Sequence, residues 1–430
     1  MTHVASDGAS TTPNSPNSSD SARSSPPPGT TSPAPPRARR HPYGVPALLL
    51  GLLATPSALS ANSVTTTLPD IGADLGVPVS SATWIATTFG LLMAVCTPLM
   101  ATLLKRRGVR TVVLACAAIV AAGTLLVVVA PSMPLLILGR GAQAIGGSGL
   151  VTTAINLAGT PRRMGVVTAG SGILGALGPL AGSLLTEHVS WRAALSLSAL
   201  ALLAVPGVIR TAPALPTQDP RTPFDTVGAV VLMALVSALV FIPRFPLPAL
   251  VCAAVIAAVL VLRVRTRPDG FVPVAVLRTP VFLSASAVVC ALSTSYFSLL
   301  YIVPRVLKDS EGWDAGLVGT GTLVALLIGS AASWLLAAYS TRMSRAAVLA
   351  VLLTLGVLAP VTAAVAPWAA LMLVAAGVSV FVSSSGQATL SVYAAHSVPE
   401  SQRPTSIGLF TLCYQLGGAF GPALAALLVT

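Results

Sequence analysis

The sequence predicts an all-α integral membrane protein of about thirteen transmembrane helices, and three observations carry that prediction. Only 8% of the 430 residues are charged, against roughly a quarter in soluble proteins. Hydrophobic residues make up 54% and the mean hydropathy is +0.86, so most of the surroundings must be lipid. Long apolar runs alternate with short charged or Pro-rich breaks, and these runs are continuous, unlike the alternating pattern of a membrane β-barrel. The same figures exclude a disordered chain, a coiled coil and a nucleic-acid binder, because the net charge of +12 is spread thinly along the chain.

The elements follow in chain order. In residues 1–40, 22 positions are Ser, Thr or Pro, so this stretch reads as a disordered tail. It lacks the charged start, apolar run and cleavage site of a secretory signal and is expected to persist. Apolar runs then fall at 43–66, 81–103, 111–130, 134–158, 165–186 and 191–209. A second series covers 225–242, 247–263, 280–303, 314–340, 345–365, 368–394 and 404–429. Each is long enough for a membrane helix. If the tail is cytoplasmic, 19 of the 24 Lys and Arg residues fall on its side of the membrane, as expected of cytoplasmic loops. Arg192, Arg244, Arg305 and Lys308 fall on the other side, and Arg140 lies within a run.

A motif recurs. Gly175-Ala-Leu-Gly178-Pro179-Leu in the fifth run matches Gly418-Ala-Phe-Gly421-Pro422-Ala in the thirteenth. Each carries a glycine pair four residues apart, Gly178 with Gly182 and Gly417 with Gly421, a spacing that lets helix backbones approach closely. The proline frees a carbonyl and permits a bend, so the motif reads as a packing and hinge element. A weaker repeat links Lys105-Arg-Arg-Gly108-Val-Arg110 with Arg342-Met-Ser-Arg345. Two units of related design follow: a six-helix bundle at 41–210 and a second bundle of five helices at 279–430. An inserted helix pair with linkers occupies 211–278.

At this point the residues resemble the major facilitator superfamily, a two-bundle transporter fold, and specifically its fourteen-helix drug:proton antiporter branch. The resemblance spans 43–430. Leu68-Pro69-Asp70-Ile71 resembles that branch's first signature, Trp84 opens helix two, and Lys105–Arg110 occupies the basic loop motif. Arg140-Gly-Ala-Gln143 with Gly146 resembles the helix-four element, and Gly178-Pro179 with Gly182 the antiporter motif. Trp191-Arg192 resembles the start of helix six, and Phe224-Asp225-Thr-Val-Gly228 the opening of the extra pair. This implies coupling or gating roles for Arg140, Gln143, Lys105, Arg106, Gly108 and Arg110. It also implies a hinge at Gly175, Gly178, Pro179, Gly182, Gly421 and Pro422, with proton antiport as the energy source. The sequence departs from the branch at Ser60, where helix one usually has an acid, and at Lys105, where the loop motif has Asp. The chain ends at the thirteenth run, so the last helix of the branch is expected to be absent.

The chemistry expected of the site is sparse. None of the twelve acidic residues is central to an apolar run; Asp70 is the nearest and reads as an exposed loop residue. Arg140 is the one ionised side chain within a run, an expensive placement that marks function. The alternative is that it reaches the outer headgroups or pairs with carbonyl groups. Asn62, Trp84, Thr88, Tyr296, Tyr301, Gln387 and Tyr414 are candidates to line a mostly apolar cavity. Without an intramembrane acid a cationic substrate has no counter-charge, so neutral or anionic small molecules are expected. Five cysteines inside apolar runs read as small buried hydrophobes. No metal site, cofactor motif, enzyme signature or nucleotide-binding loop is present, and no nucleic-acid partner is expected. The expectation is a multi-pass protein of the cytoplasmic membrane, with its N-terminus inside, exporting small organic molecules by alternating access. Alternatives are an uncoupled facilitator and a transporter-derived sensor or scaffold.

Overall fold

Polar caps set where several apolar runs become helix. Thr160, Ser190, Asp225, Asp314 and Ser344 each precede a helix and accept a hydrogen bond from the N–H three residues on, which satisfies a donor the helix leaves free. The computed structural model describes residues 44–212, 224–242, 245–309, 311–366 and 368–428; the tail read over 1–40 lies outside them.

Thirteen main helices are found among the described residues, and nine helices, with the one broken at Gly108 counted once, are long and apolar enough to cross a membrane. The first bundle holds α1 (Ala47–Leu75), α2 and α3 (84–107 and 109–129), α4 (Met133–Ala158), α5 (Pro161–His188) and α6 (Trp191–Thr211). Gly108 divides α2 from α3 with φ 75° and ψ 171°, a conformation that a side chain would strain. The central part of α6, Ser196–Ala204, is wound as a 3-10 helix. The inserted pair is α7 (Thr226–Val240) and α8 (Pro246–Thr266). The second bundle holds α9 (Pro280–Asp309), α10 (Ala315–Tyr339), α11 (Arg345–Val365), α12 (Ala369–His396) and α13 (Arg403–Leu428). The 25 residues of α10 rise about 38 Å at about 1.5 Å each, enough to cross a hydrocarbon layer of about 30 Å.

Two local readings are corrected. Helix α1 continues through Pro69 and Asp70 to Leu75, where Gly76 stops it with φ 62°. Asp70 is therefore an exposed helical residue and not part of a loop. Cys96 and Cys116 are buried and Cys290 and Cys413 partly so, but Cys252 is exposed. It sits on α8, which is buried only along Ala249 and Ala253, so its apolar neighbours face outward and not into a core.

Packing within the bundles follows the repeat. In the first, α1 lies along α5 and α3 along α4; in the second, α9 lies along α13 and α12. The hydrophobic cores show how the bundles meet. At the end carrying the basic loops, one core takes Met100, Leu104, Leu157 and Met164 from the first bundle and Ala337, Val392, Ala395 and Ile407 from the second. At the opposite end the cores are separate. Val64, Ile71, Leu136 and Trp191 belong to the first bundle only, and Leu299, Val303, Val318 and Ala369 to the second only.

Candidate functional site

The space between the bundles is a cavity of about 450 Å³ walled by α1, α2, α4, α5, α7, α9, α12 and α13. The core shared by both bundles closes its basic end. A polar clasp adds to the closure where Lys105 Nζ donates to Gln402 Oε1 at 3.0 Å. The other end lies between the two separate cores. The wall is mostly apolar and contains no Asp, Glu, His, Lys or Arg among the described residues.

Four of the residues expected to line the cavity do so: Asn62, Tyr296, Gln387 and Tyr414. Trp84 is 40% and Tyr301 61% exposed, both outside the wall. Thr88 faces α4, where its methyl lies 3.8 Å from a Cβ built on Gly141. The wall also includes Ser57, Met93, Thr168, Ser171 and Thr411, which sequence reasoning did not single out. A signal for several was available. Thr168, Ser171, Gly172 and Gly175 share one helix face, as do Thr411, Tyr414, Gln415 and Gly418, at steps of three and four residues.

The two sides of the cavity carry different groups. On the second bundle the Tyr296 and Phe297 rings have centroids 4.6 Å apart, and Phe297 lies 6.3 Å from Tyr414. Nearby, Gln415 Oε1 is buried without a hydrogen-bond partner, an acceptor that a ligand donor would satisfy. On the first bundle, Asn62 Nδ2 donates to Gly175 O at 2.9 Å. That carbonyl is four residues before Pro179, which has no N–H to offer it, so the carboxamide takes the missing donor's place. Gly178 and Gly182 make the approach possible. A Cβ on Gly178 would lie 2.6 Å from Asn62 Cβ, and one on Gly182 would collide with Ser63 O. On α13, a Cβ on Gly421 would lie 2.5 Å from Phe297 Cβ. Pro422 continues α13, but its side chain lies outside the described residues.

Arg140 is completely buried. Its Nη1 donates to Ser60 Oγ at 2.9 Å, Gln143 Oε1 at 2.9 Å and Leu195 O at 3.3 Å, and its Nη2 to Ser60 O at 3.2 Å. Gln143 in turn donates to Thr124 Oγ1 at 3.1 Å. The guanidinium also lies 4.2 Å from the ring centre of Phe89, a wall residue that stands between it and the cavity. No carboxylate is bonded to Arg140, and its Nε is buried without a partner. Of the two placements considered from sequence, carbonyl pairing is the one observed, and the headgroups are not reached. Ser60 stands where the resemblance places an acid, and it supplies both its hydroxyl and its carbonyl to the cation.

The basic turn is anchored more loosely. Arg106 lies 5.5 Å from the Phe224 ring centre, next to the start of α7, and Arg110 is exposed. Beside it, Asp225 binds α7, α8 and the following turn together. It accepts from Gly228 N at 3.0 Å, Arg263 Nη2 at 2.6 Å and Phe271 N at 3.1 Å. Burial pushes the Asp225 carboxyl up, but these hydrogen bonds and the Arg263 charge outweigh it and leave the carboxyl below its ordinary value.

Comparison with known proteins fits this geometry. The chain is 22% identical over 303 residues to the uncharacterized MFS-type transporter YvkA of Bacillus subtilis (strain 168), covering 67% of each. It is 25% identical over 283 residues to the multidrug resistance protein Stp of Mycobacterium tuberculosis (strain ATCC 25618 / H37Rv), covering 61% of this chain and 52% of that protein. The match to Stp thus spans about half of that relative's length. Its fold is similar to that of the human organic anion transporter MFSD10 (TETRAN), with a TM-score of 0.62 at 18% identity over 89% of this chain and 92% of that one. It is also similar to the proton:xylose symporter XylE, with a TM-score of 0.54 at 13% identity over 87% and 86%. Residues 50–422 match the Major Facilitator Superfamily family model, and this multi-pass membrane protein therefore belongs to the Major Facilitator Superfamily.

Proposed function

We propose that this protein exports small organic molecules, neutral or anionic, across the cytoplasmic membrane by alternating access. The observation that carries the reading is the cavity between the bundles, walled by both and sealed at its basic end by their shared core. With the basic loops and N-terminus cytoplasmic, this is the outward-facing state, and rocking of one bundle against the other would open the sealed basic end. The wall suits an apolar compound carrying a few hydrogen-bonding groups. Tyr296, Phe297 and Tyr414 offer ring faces, and Asn62, Gln387 and Gln415 offer amides. Its lack of acidic groups disfavours a cationic substrate.

The family resemblance implies proton antiport as the driving reaction. A second reading, uncoupled facilitation, draws on the absence of any Asp, Glu or His among the described residues of the cavity wall. Expression in a pump-deficient host tests export: lower accumulation of a compound from a broad neutral and anionic panel is expected. No change for any compound would sink the proposal in favour of a sensor or scaffold. Proteoliposomes with and without an imposed pH gradient then separate the two driving modes, since only antiport accelerates with the gradient.

A further inference from the structure

We propose that a second recess, between the inserted pair and the second bundle, binds one anionic phospholipid of the membrane. An acyl chain would lie in the recess, with the phosphate on Arg265 and Arg278. The recess measures about 640 Å³ and is formed by α7, α8, the turn at 268–278, and the facing surfaces of α9 and α13. Among the described residues, its polar lining consists of Arg265, Arg278 and Ser286. It shares no lining residue with the central cavity and uses a different part of α13, Leu409, Leu412 and Cys413 in place of Thr411, Tyr414 and Gln415. It is thus separate from the proposed transport route. Val261 and Leu283 on its wall are 53% and 48% exposed, which leaves it open sideways to lipid.

The charge at its mouth selects the occupant. Arg263, one turn from the recess, is already neutralised by Asp225 at 2.6 Å. Arg265 and Arg278 are exposed and have no ion pair among the described residues. Two free guanidinium groups therefore stand at the mouth of an apolar recess. Basic pockets between membrane helices bind anionic headgroups in this way. A guanidinium meets a phosphate with two parallel hydrogen bonds, and the apolar wall removes a chain from competing contacts without breaking any polar bond. A zwitterionic lipid satisfies the wall but brings its own cation to the arginines.

The test is native mass spectrometry of the full-length protein in detergent, titrated with phosphatidylglycerol and with phosphatidylcholine of the same acyl chains. One phosphatidylglycerol is expected to be retained selectively. R265Q/R278Q should weaken its binding about 30-fold, about fivefold per arginine, while R265K/R278K keeps most of it. Leu283→Trp, which fills the open side while leaving both arginines, should also displace the lipid, and it decides the matter if the double glutamine variant does not fold. Equal binding of the two lipids, or undiminished phosphatidylglycerol binding in R265Q/R278Q or Leu283→Trp, would overturn the proposal. Competition by glycerol phosphate or by a free fatty acid as effective as that of the whole lipid would overturn it too.

Discussion

The helix pair α1/α5 and the pair α9/α13 solve the same backbone problem with opposite side chains. In both, glycines ahead of a proline let two helices touch. At α1/α5 the contact is filled by Asn62, whose amide bonds the carbonyl that Pro179 leaves free. At α9/α13 the corresponding space is filled by the Phe297 ring, 3.2 Å from a Cβ built on Gly418, and Ser298 Oγ donates to Gly421 O at 2.9 Å. The repeat therefore fixes helix geometry, while the residue at the contact sets what the cavity presents. The first bundle presents an amide, with a buried cation behind Phe89. The second presents a cluster of rings. A substrate in this cavity would meet amides on both sides, Asn62 on one and Gln387 and Gln415 on the other, with the clustered rings of Tyr296, Phe297 and Tyr414 on the second bundle.

The strongest way to break the comparison is to remove the cation that only the first bundle holds. Arg140→Ala leaves the Gln143 amide oxygen without its donor, at about 1–3 kcal/mol for a buried unsatisfied group, while the Ser60 and Leu195 carbonyls keep the Ser63 and Ser60 hydroxyls. Transport is expected to vanish while membrane insertion persists. Efflux measured beside surface labelling checks this, and unaltered efflux would remove Arg140 from the mechanism.

Next in size are Gly178→Val and Gly421→Val. Each drives a side chain into the facing helix, and each should lower stability by about 1–3 kcal/mol, read by thermal unfolding in detergent. Similar losses are expected in the two pairs; a loss in only one would mean that the motif is mechanical in one bundle alone.

Asn62→Ala should cost about 1–2 kcal/mol for the exposed Gly175 carbonyl, whereas Phe297→Ala leaves no such group unsatisfied. The two variants should also shift substrate preference in opposite senses. A panel of compounds differing by one hydrogen-bonding group reads this directly.

The smallest effect lies in the inserted pair, which has no counterpart in either bundle. Asp225→Asn removes the charge from four hydrogen bonds and should lower stability by about 1 kcal/mol. Because the folded carboxyl titrates below its unfolded value, its contribution is complete above the ordinary carboxylate range. It is lost as pH falls through the folded value. Acid unfolding curves of wild type and Asp225→Asn should therefore converge at low pH.

Much of the fold was legible because continuous apolar runs leave little choice but helix, and because Lys, Arg and Pro mark their ends. Gly108 was visible within a basic turn, and Arg140 stood out as the one charge in a run. What the sequence did not reveal was the rotation of each helix. Trp84, Thr88 and Tyr301 read as readily as cavity residues as Asn62 or Gln387 did, since composition is the same on every face of an apolar helix. Only contact with neighbouring helices decides that Ser57, Thr168 and Ser171 face inward. The extension of α1 past Pro69 was hidden for a related reason: proline reads as a stop, yet Ile71 packs into the first bundle's own core at the end away from the basic loops and carries the helix on.

The seal at the basic end consists almost wholly of aliphatic side chains, with Lys105 and Gln402 as its polar clasp. Opening that end wets apolar surface, so the inward state should have the higher heat capacity. Salt, which screens ionic latches, should leave the balance between the two states nearly unmoved. Cooling, which weakens apolar association, should tilt it toward the inward state. Temperature is therefore the lever by which this gate can be shifted without any ligand.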